Sequence, residues 1–423
     1  MKILVAHPAQ QHSFRLAAAL ARSGDLYKYA TTVYYSKGSL TKAVSRLIGS
    51  KYRKKAESRR CAELHDEDVV RFYEGEGLLK LLTMNIPLFR PLYRRIKYHV
   101  ADRFAKKTAS YAIKHKVDAV ICYDDFSSKL FEILAEKAPR ITRIMDASAA
   151  SILYMRRIYE KDMLIMPEHA ERLRNERVVV WDKDAIKRAE KEIRLAQHII
   201  AASRFTKNSF VEGGFPAEAI TVCPYGVDIE LFSPKTDKEF RKKKGPVRFI
   251  YVGGVKQLKG IGYLLSAFSG ISGDKATLTV VGNTNVGMEG FASCSENVRF
   301  IGEVLHEKIP TILKEADVFV YPSLGDGFSL AALEAAACSL PLILSENTGA
   351  CELICSGREG FTIPIQSAEA IREKIDWFVE HPDRIEPMGR AAREMAERFT
   401  WSAYDMSIRK MLSKLAENDG SHY

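Results

Sequence analysis

Two doubly wound, Rossmann-like α/β units in tandem are predicted by three observations. Strand-like and helix-like segments alternate through most of the chain. Several strand segments are unbroken apolar runs, as expected of parallel strands covered by helices on both faces. The alternation is interrupted once, by a charged stretch with Pro and Gly, and then restarts. A length of 423 residues also exceeds what one compact core accommodates.

In the first unit, assigned to residues 1–228, strands are predicted at Lys2–His7, Thr31–Tyr35, Asp118–Tyr123, Arg140–Met145, His198–Ala202 and Ile220–Pro224. The helices between them follow from apolar spacings of three and four, as where Ile186, Ala189, Ile193 and Ala196 share one face. Residues from Ile229 to Pro246 carry Ser233-Pro234 and a basic run before Gly245-Pro246, and read as a linker. The second unit, 229–398, then offers strands at Val247–Val252, Thr277–Val281, Val298–Ile301, Asp317–Tyr321, Leu340–Leu344 and Phe361–Pro364. Helices are predicted at Gly260–Phe268, Glu307–Lys314 and Ser329–Ala337, and a final helical segment occupies 399–423. Two such units place an interdomain cleft between the carboxyl ends of two parallel sheets, where open α/β sheets bind ligands.

The 46% hydrophobic content is that of an ordinary globular protein. The first residues read as a strand and not as a signal peptide, and no apolar run reaches the length of a membrane span. Seven scattered cysteines without a CxxC pair read as reduced thiols in the cytoplasm. A formal charge of +11 suits a polyanionic partner: nucleic acid, an anionic membrane or a phosphorylated substrate.

The segment Tyr321-Pro322-Ser323-Leu324-Gly325-Asp326-Gly327-Phe328-Ser329-Leu330 follows a buried strand and opens a helix that carries Glu334. A helix N-terminus presents unpaired N–H groups and a positive dipole end to a diphosphate. Gly327 permits close backbone approach. Asp326 just before the helix can accept from sugar hydroxyls, and Glu334, two turns in, suits ribose hydroxyls. The structural alternative is an N-cap Asp and a surface Glu.

The pattern Asp326-x7-Glu334 within Pro-Ser-x-x-Asp-Gly-Phe-Ser-Leu-x-x-Leu-Glu-Ala resembles the E-x7-E signature of glycosyltransferase family 4. Ordered matches run from Ala201-Ala202-Ser203-Arg204-Phe205-Thr206 through Pro224-Tyr225-Gly226-Val227-Asp228 and the loop Gly253-Gly254-Val255-Lys256-Gln257-Leu258-Lys259-Gly260. They continue through Val298–Val304, Ala316–Val320, Glu352-Leu353-Ile354 and Gly360-Phe361 to Trp401. The resemblance implies the GT-B architecture, with a terminal helix crossing back to the first domain. It also implies transfer of a sugar, with retention of configuration, from a nucleotide-diphosphate sugar to a hydroxyl of a glycan or lipid-linked acceptor. By the same resemblance Lys259 neutralises the diphosphate, Gly253 and Gly254 bring the loop close to it, and Glu334 holds the ribose. Asp326 and the backbone of Gly327, Phe328, Ser329 and Leu330 position the sugar and its leaving phosphate, and Val304 faces the base. No metal or other cofactor is expected, and the Asp124-Asp125 pair is assigned none. The sequence departs from the family at three places. Gly254 replaces the usual loop arginine, with Lys256 or Arg204 as substitutes; Asp326 replaces the first glutamate; Ser339 replaces a glycine.

The first unit matches poorly. The glycine-rich loop expected after its first strand is replaced by His7-Pro8-Ala9-Gln10-Gln11-His12-Ser13. His12 and Ser13 stand where they cap the next helix or face the acceptor, and Arg204 is a further acceptor-side candidate. Asp146 falls where the family often has a histidine near the donor sugar, with His169 as a second candidate; a buried cap is the alternative for Asp146. The basic stretch Lys51–Arg60, and Leu78–Lys107 with Leu92, Ile96, Val100 and Phe104 every four residues, fit an anionic membrane surface or a helix packed on its own domain. A place at the inner membrane face would suit a lipid-linked acceptor. Three rival readings stay open: another GT-B enzyme such as a nucleotide-sugar epimerase or a phosphorylase, a catalytically silent sugar-nucleotide-binding subunit, and, from charge alone, a nucleic-acid binder, although nucleic acid is not the expected partner.

Overall fold

The apolar runs form two all-parallel sheets. In the computed structural model the described residues are 1–423 without 10, 11, 47–49, 86–88, 177, 238, 239, 241–244, 284–295 and 421–423; side chains are not described at 50–52, 85, 90–92, 94, 95, 178, 179 and 418–420. Cys294, the Gln10-Gln11 pair and much of the basic run after Asp237 therefore lie outside the described residues, as do Ile86, Leu88 and the side chains of Leu92, Arg90, Arg94 and Arg95.

The first sheet contains β1 (Ile3–Ala6), β2 (Leu26–Thr31), β3 (Val69–Arg71), β4 (Ala119–Tyr123), β5 (Thr142–Ala147), β6 (His198–Ala201) and β7 (Ile220–Val222), in the order β3-β2-β1-β4-β5-β6-β7. The second contains β8 (Val247–Val252), β9 (Ala276–Val281), β10 (Val298–Gly302), β11 (Val318–Tyr321), β12 (Leu342–Ser345) and β13 (Gly360–Ile363), in the order β10-β9-β8-β11-β12-β13. Strand order reverses between β1 and β4 and between β8 and β11. These are the switch points at which open sheets leave a crevice.

Three expectations need correction. The second strand lies at Leu26–Thr31, ahead of the predicted Thr31–Tyr35, and β3 was not foreseen; both are near the sheet edge, where half-exposed residues blur the apolar signal. The predicted helix Glu307–Lys314 is a short turn, His306–Lys308, followed by the helix Ile309–Glu315. The stretch after Ile229 is not a free linker. Phe232 and Phe240 are buried, and the Lys235 ammonium bonds to the Ala316 carbonyl, so isolated aromatic anchors fix a segment with no apolar period.

One apolar core runs across both units. Polar contacts bind them further. Asp162, on the helix Ile152–Ile165, accepts from Gln257 Nε2 (2.9 Å), Tyr263 OH (2.7 Å) and Gln366 Nε2 (3.3 Å) of the second unit. Glu176 accepts from the backbone N–H groups of Gln257 (2.8 Å) and Leu258 (2.9 Å). The helix Trp401–Gly420 packs on Ser13–Ser23, with Arg22 donating bidentately to Asp405 (both 2.8 Å). Gly226 lies so close to Thr400 that a Cβ would come within 2.3 Å of its carbonyl carbon.

Candidate active site

The loop after β8 and the loop after β11 meet over the second switch point. The first makes a single turn at Gln257–Lys259 and ends on Gly260, whose φ of 73° and close approach to the Pro322 carbonyl (1.8 Å from a built Cβ) require glycine. That turn delivers Lys259 to Asp326: the ammonium is ion-paired with Oδ2, and it also lies 5.6 Å from the centroid of the Tyr321 ring. The Tyr321 hydroxyl donates to the same Oδ2 (2.7 Å), while Oδ1 accepts from the N–H groups of Phe328 (3.2 Å) and Ser329 (3.0 Å). Burial alone would raise this carboxyl. The Lys259 charge, with the hydrogen bonds from Lys259, Tyr321 and Phe328, outweighs burial and holds it below its ordinary value.

The helix Leu330–Ala337 begins after Ser329, which has φ 66° and ψ 82°, a left-handed conformation costly for a residue with a Cβ. Such strain concentrates at functional turns. Ser339, where the resemblance expects glycine, is also left-handed at φ 61°, so its substitution leaves backbone strain as well as a packing change. Glu334 projects from the helix and accepts from His306 Nε2 (2.8 Å); the His306 ring in turn meets Phe232 edge-on, centroids 5.4 Å apart. His306 was not a predicted site residue, because nothing local in sequence links it to Glu334. Its imidazole is raised above its ordinary value, first by the hydrogen bond to Glu334 and then by the Glu334 and Glu307 charges, against burial and Arg15.

Several predicted residues have partners that local sequence did not suggest. Gly327 does allow a close approach, but to the first unit. A Cβ there would lie 2.3 Å from the Ser148 carbonyl oxygen, and the Gly327 carbonyl accepts from Ser203 Oγ (2.6 Å) and Thr206 Oγ1 (3.3 Å). Phe328 is buried edge-on against Tyr225, because the turn directs it into the core (centroids 5.6 Å). Leu330 and Val304 are half-buried beside the core. Gly253 backs onto Tyr251 and Tyr321. The Gly254 carbonyl accepts from Tyr251 OH (2.7 Å), and a Cβ at Gly254 meets only the Lys256 side chain, at 3.6 Å. Arg204 is exposed, and its backbone N–H donates to Glu352 Oε1 (2.7 Å) of the second unit.

In the first unit, Ser13 is a correction. It is fully buried at a hydrogen-bond distance from Tyr29 OH (2.9 Å), since the helix turns its first residue toward β2. His12 makes no side-chain cap; its ring lies 4.7 Å from that of Tyr225, and burial lowers its imidazole while Asp326 opposes. Asp146 lies inside β5, is 2% exposed and has its carboxyl raised to about 7 by burial, with Tyr123 offsetting part. Asp124, which accepts from Ser148 Oγ (3.1 Å), is raised to about 7 by burial and by the charges of Asp125 and Asp146. These acids sit beside the crevice on the first-unit side. His169 is buried against Gly262. The periodic face of the helix Arg90–Lys114 turns inward, with Val100 and Phe104 buried in the core.

The architecture is of the GT-B type: two parallel-sheet, Rossmann-like units. Residues 232–395 match the family model of glycosyl transferases group 1. The D-rhamnosyltransferase WbpZ of Pseudomonas aeruginosa is 31% identical over 185 residues, 41% of this chain and 48% of that protein. The D-inositol 3-phosphate glycosyltransferase of Segniliparus rotundus is 27% identical over 229 residues, 49% of this chain and 51% of that protein. The chain thus spans about half the length of these two relatives. In fold, the chain is similar to sucrose-phosphate synthase from Thermosynechococcus elongatus, with a TM-score of 0.71 at 18% identity over 98% of this chain and 99% of that one. Anabaena HepE in complex with UDP-glucose gives a TM-score of 0.61 at 18% identity, over 98% and 100% of the two chains.

Proposed function

We propose that the protein is a retaining glycosyltransferase of family 4 that moves a sugar from a nucleotide-diphosphate sugar to a hydroxyl of a glycan or lipid-linked acceptor. The observation that carries this reading is the meeting of Lys259 and Asp326 at the β8/β11 switch point, beneath the first unit. A diphosphate arriving there takes the Lys259 ammonium and the first-turn N–H groups of the helix Leu330–Ala337, which stabilise the departing nucleotide. Asp326, released from Lys259, accepts from sugar hydroxyls; Glu334 holds the ribose, and the backbone at Val304 faces the base. In this reading Asp146 acts near the donor sugar and His12 faces the acceptor. The reading gives no role to a metal or other cofactor, and nucleic acid is no partner in it. It agrees with the family match over 232–395, and with relatives whose names describe glycosyl transfer.

Among the described residues no helix is long and apolar enough to cross a membrane. Leu40, Leu79, Leu82, Met84 and Phe89 are exposed on the first unit, and the basic helix Ser50–Glu57 packs against the helix Leu40–Ser45. A cytoplasmic site of action at the inner membrane face belongs to the same proposal. A second reading, a silent sugar-nucleotide-binding subunit, is favoured by Gly254 in place of the loop arginine. A thermal-shift screen against UDP-, GDP- and ADP-sugars tests the donor site, because a ligand of the folded state raises the melting temperature. No response to any of the three would sink it. Nucleotide release on adding acceptor separates transfer from silent binding.

A further inference from the structure

The first sheet has its own switch point, between β1 and β4, and a lysine from neither flanking loop stands over it. Lys80, on the helix Glu74–Asn85, is 5% exposed; its Nζ donates to the Pro8 carbonyl (3.3 Å), just beyond β1, and lies 5.8 Å from the centroid of Phe126, just beyond β4. The helix is pressed onto the end of β2, where a Cβ at Gly77 would come within 2.5 Å of Thr32 Oγ1, so Lys80, one turn on, is driven inward. The Pro8 carbonyl is shared, since Thr32 Oγ1 also donates to it (2.9 Å).

The charges felt by Lys80 are those of Arg59 and Lys97, both cations; with burial as the main cause they push its ammonium down to about 8. The Arg59 guanidinium is lowered by burial, and its Nη1 is fully buried with no hydrogen-bond partner. Asp124, in the nearby loop, accepts from Ser148 Oγ (3.1 Å), and neither its charge nor that of Asp125 is among those acting on Lys80. Buried cations with no anion are costly, and a cluster of them more so. A ligand that brings the missing charge relieves that cost, and an arginine fork beside a lysine suits a phosphate.

We infer that Lys80 and Arg59, with Lys97 at their side, form an anion site at the β1/β4 switch point that receives a phosphate group of the acceptor. This rests on the reading of the first unit as the acceptor side, and it narrows the acceptor to a phosphorylated one. Arg59 and Lys97 are half-buried, so the set is open to solvent on their side. The phosphate can belong to a soluble sugar or polyol phosphate or to a lipid headgroup.

The test uses the full chain, with melting temperature and calorimetry read against inorganic phosphate, glycerol 3-phosphate and phosphatidic acid vesicles. Wild type is expected to gain a few degrees with saturating phosphate. Lys80→Met should melt higher than wild type without ligand and lose the phosphate response. Lys259→Met should keep the phosphate response while losing the nucleotide response. A response to glycerol 3-phosphate assigns a soluble acceptor, and a response to vesicles alone a lipid phosphate. No response to any of the three, or a response equal in Lys80→Met, overturns the site; so does a phosphate response lost only in Lys259→Met, which would locate the anion at the donor loop. Should Lys80→Met not fold, Arg59→Gln reads the same loss and Lys80→Arg should retain binding. Failure of nucleotides to bind, with the Lys80-dependent phosphate response intact, would remove the donor reading and leave this site standing.

Discussion

The ammonium of Lys259 is ion-paired with the carboxylate of Asp326, so the two groups assigned to the donor neutralise each other across the β8 and β11 loops. Their side chains are 22% and 18% exposed, so the pair is largely buried. Removing one partner of a fully buried pair costs about 3–5 kcal/mol, and with this residual exposure about 1–3 kcal/mol is expected for Lys259→Met. The double variant Lys259→Met/Asp326→Asn should recover most of that loss in urea unfolding. Asp326 is held below its ordinary value, so its contribution is present above about pH 4 and is lost as pH falls through the folded-state value. Nucleoside diphosphate affinity should fall at least about tenfold, or 1.4 kcal/mol, in Lys259→Met. Asp326→Asn frees the ammonium and should bind a nucleoside diphosphate as well as wild type or better. Equal affinity in Lys259→Met and wild type would refute the assignment of Lys259.

Glu334 and His306 form the second pair. If Glu334 holds the ribose, Glu334→Ala should weaken a ribonucleoside diphosphate about tenfold, the scale of a lost charged hydrogen bond. It should leave the 2′,3′-dideoxy analogue unchanged, and calorimetry with the two ligands checks this. His306 has a raised imidazole, so the stability it contributes is complete below about pH 6.5 and is lost as pH rises through the folded-state value. His306 is 64% exposed, so the effect should stay within about 1 kcal/mol. Unfolding at pH 6 and pH 8.5, compared between wild type and Glu334→Gln, reads the sign.

Asp146 makes a demand on pH opposite to that of Asp326. Its carboxyl is raised to about 7, so the native state binds a proton that the unfolded chain has already released, and stability falls as pH rises from about 4 through 7. At 1.4 kcal/mol per unit, ionising it in place costs up to about 4 kcal/mol, and Asp146→Asn should recover a large part of this at pH 8 and almost none at pH 4. Denaturant unfolding at the two pH values checks this. Should the asparagine variant fold more stably yet lose transfer, Asp146 is held charged or protonated for the reaction and not for the fold.

The two-sheet plan is legible because buried parallel strands write themselves as apolar runs. The turn from Tyr321 to Leu330 is legible because its chemistry is local: loop, N-terminus and both carboxylates lie within one strand–loop–helix unit. The partners of those carboxylates are not. Lys259 and Asp326 are 67 positions apart, His306 and Glu334 are 28, and Lys80 and Pro8 are 72, and no periodicity couples such pairs. Gly327 shows where such reading stops: glycine marks a close approach without naming what approaches, and here one neighbour is the Ser148 carbonyl.

Gly254 stands where the resembling family has an arginine, and the structure leaves room for one. A Cβ there touches only the flexible Lys256 chain, and the backbone is outside the left-handed region. Gly254→Arg should therefore fold with stability changed by less than about 0.5 kcal/mol, as for an unconstrained surface substitution. It should tighten nucleoside diphosphate binding several-fold by adding a forked cation to the diphosphate. Calorimetry against the same nucleotide decides it, and weaker binding in the variant would place the diphosphate elsewhere than this loop.

The exposed apolar residues of the first unit set the last expectation. Leu79, Leu82 and Met84 share the helix Glu74–Asn85, and Leu40 packs near Gly75 on the same helix. Arg53, Lys54 and Lys55 are exposed on the helix Ser50–Glu57, which packs against the helix Leu40–Ser45. Apolar burial and cation attraction add on an anionic bilayer, about 1 kcal/mol per basic residue near the surface and about 25 cal/mol per Å² of apolar area. Vesicles containing phosphatidylglycerol should thus sediment the protein at low salt and release it as screening rises, whereas neutral vesicles should bind weakly. Leu79→Asp/Leu82→Asp should lose binding at every salt concentration, and Lys54→Gln/Lys55→Gln should flatten the salt dependence. Equal binding of the aspartate variant and wild type would mean that this face is ordinary surface and that the acceptor is met in solution.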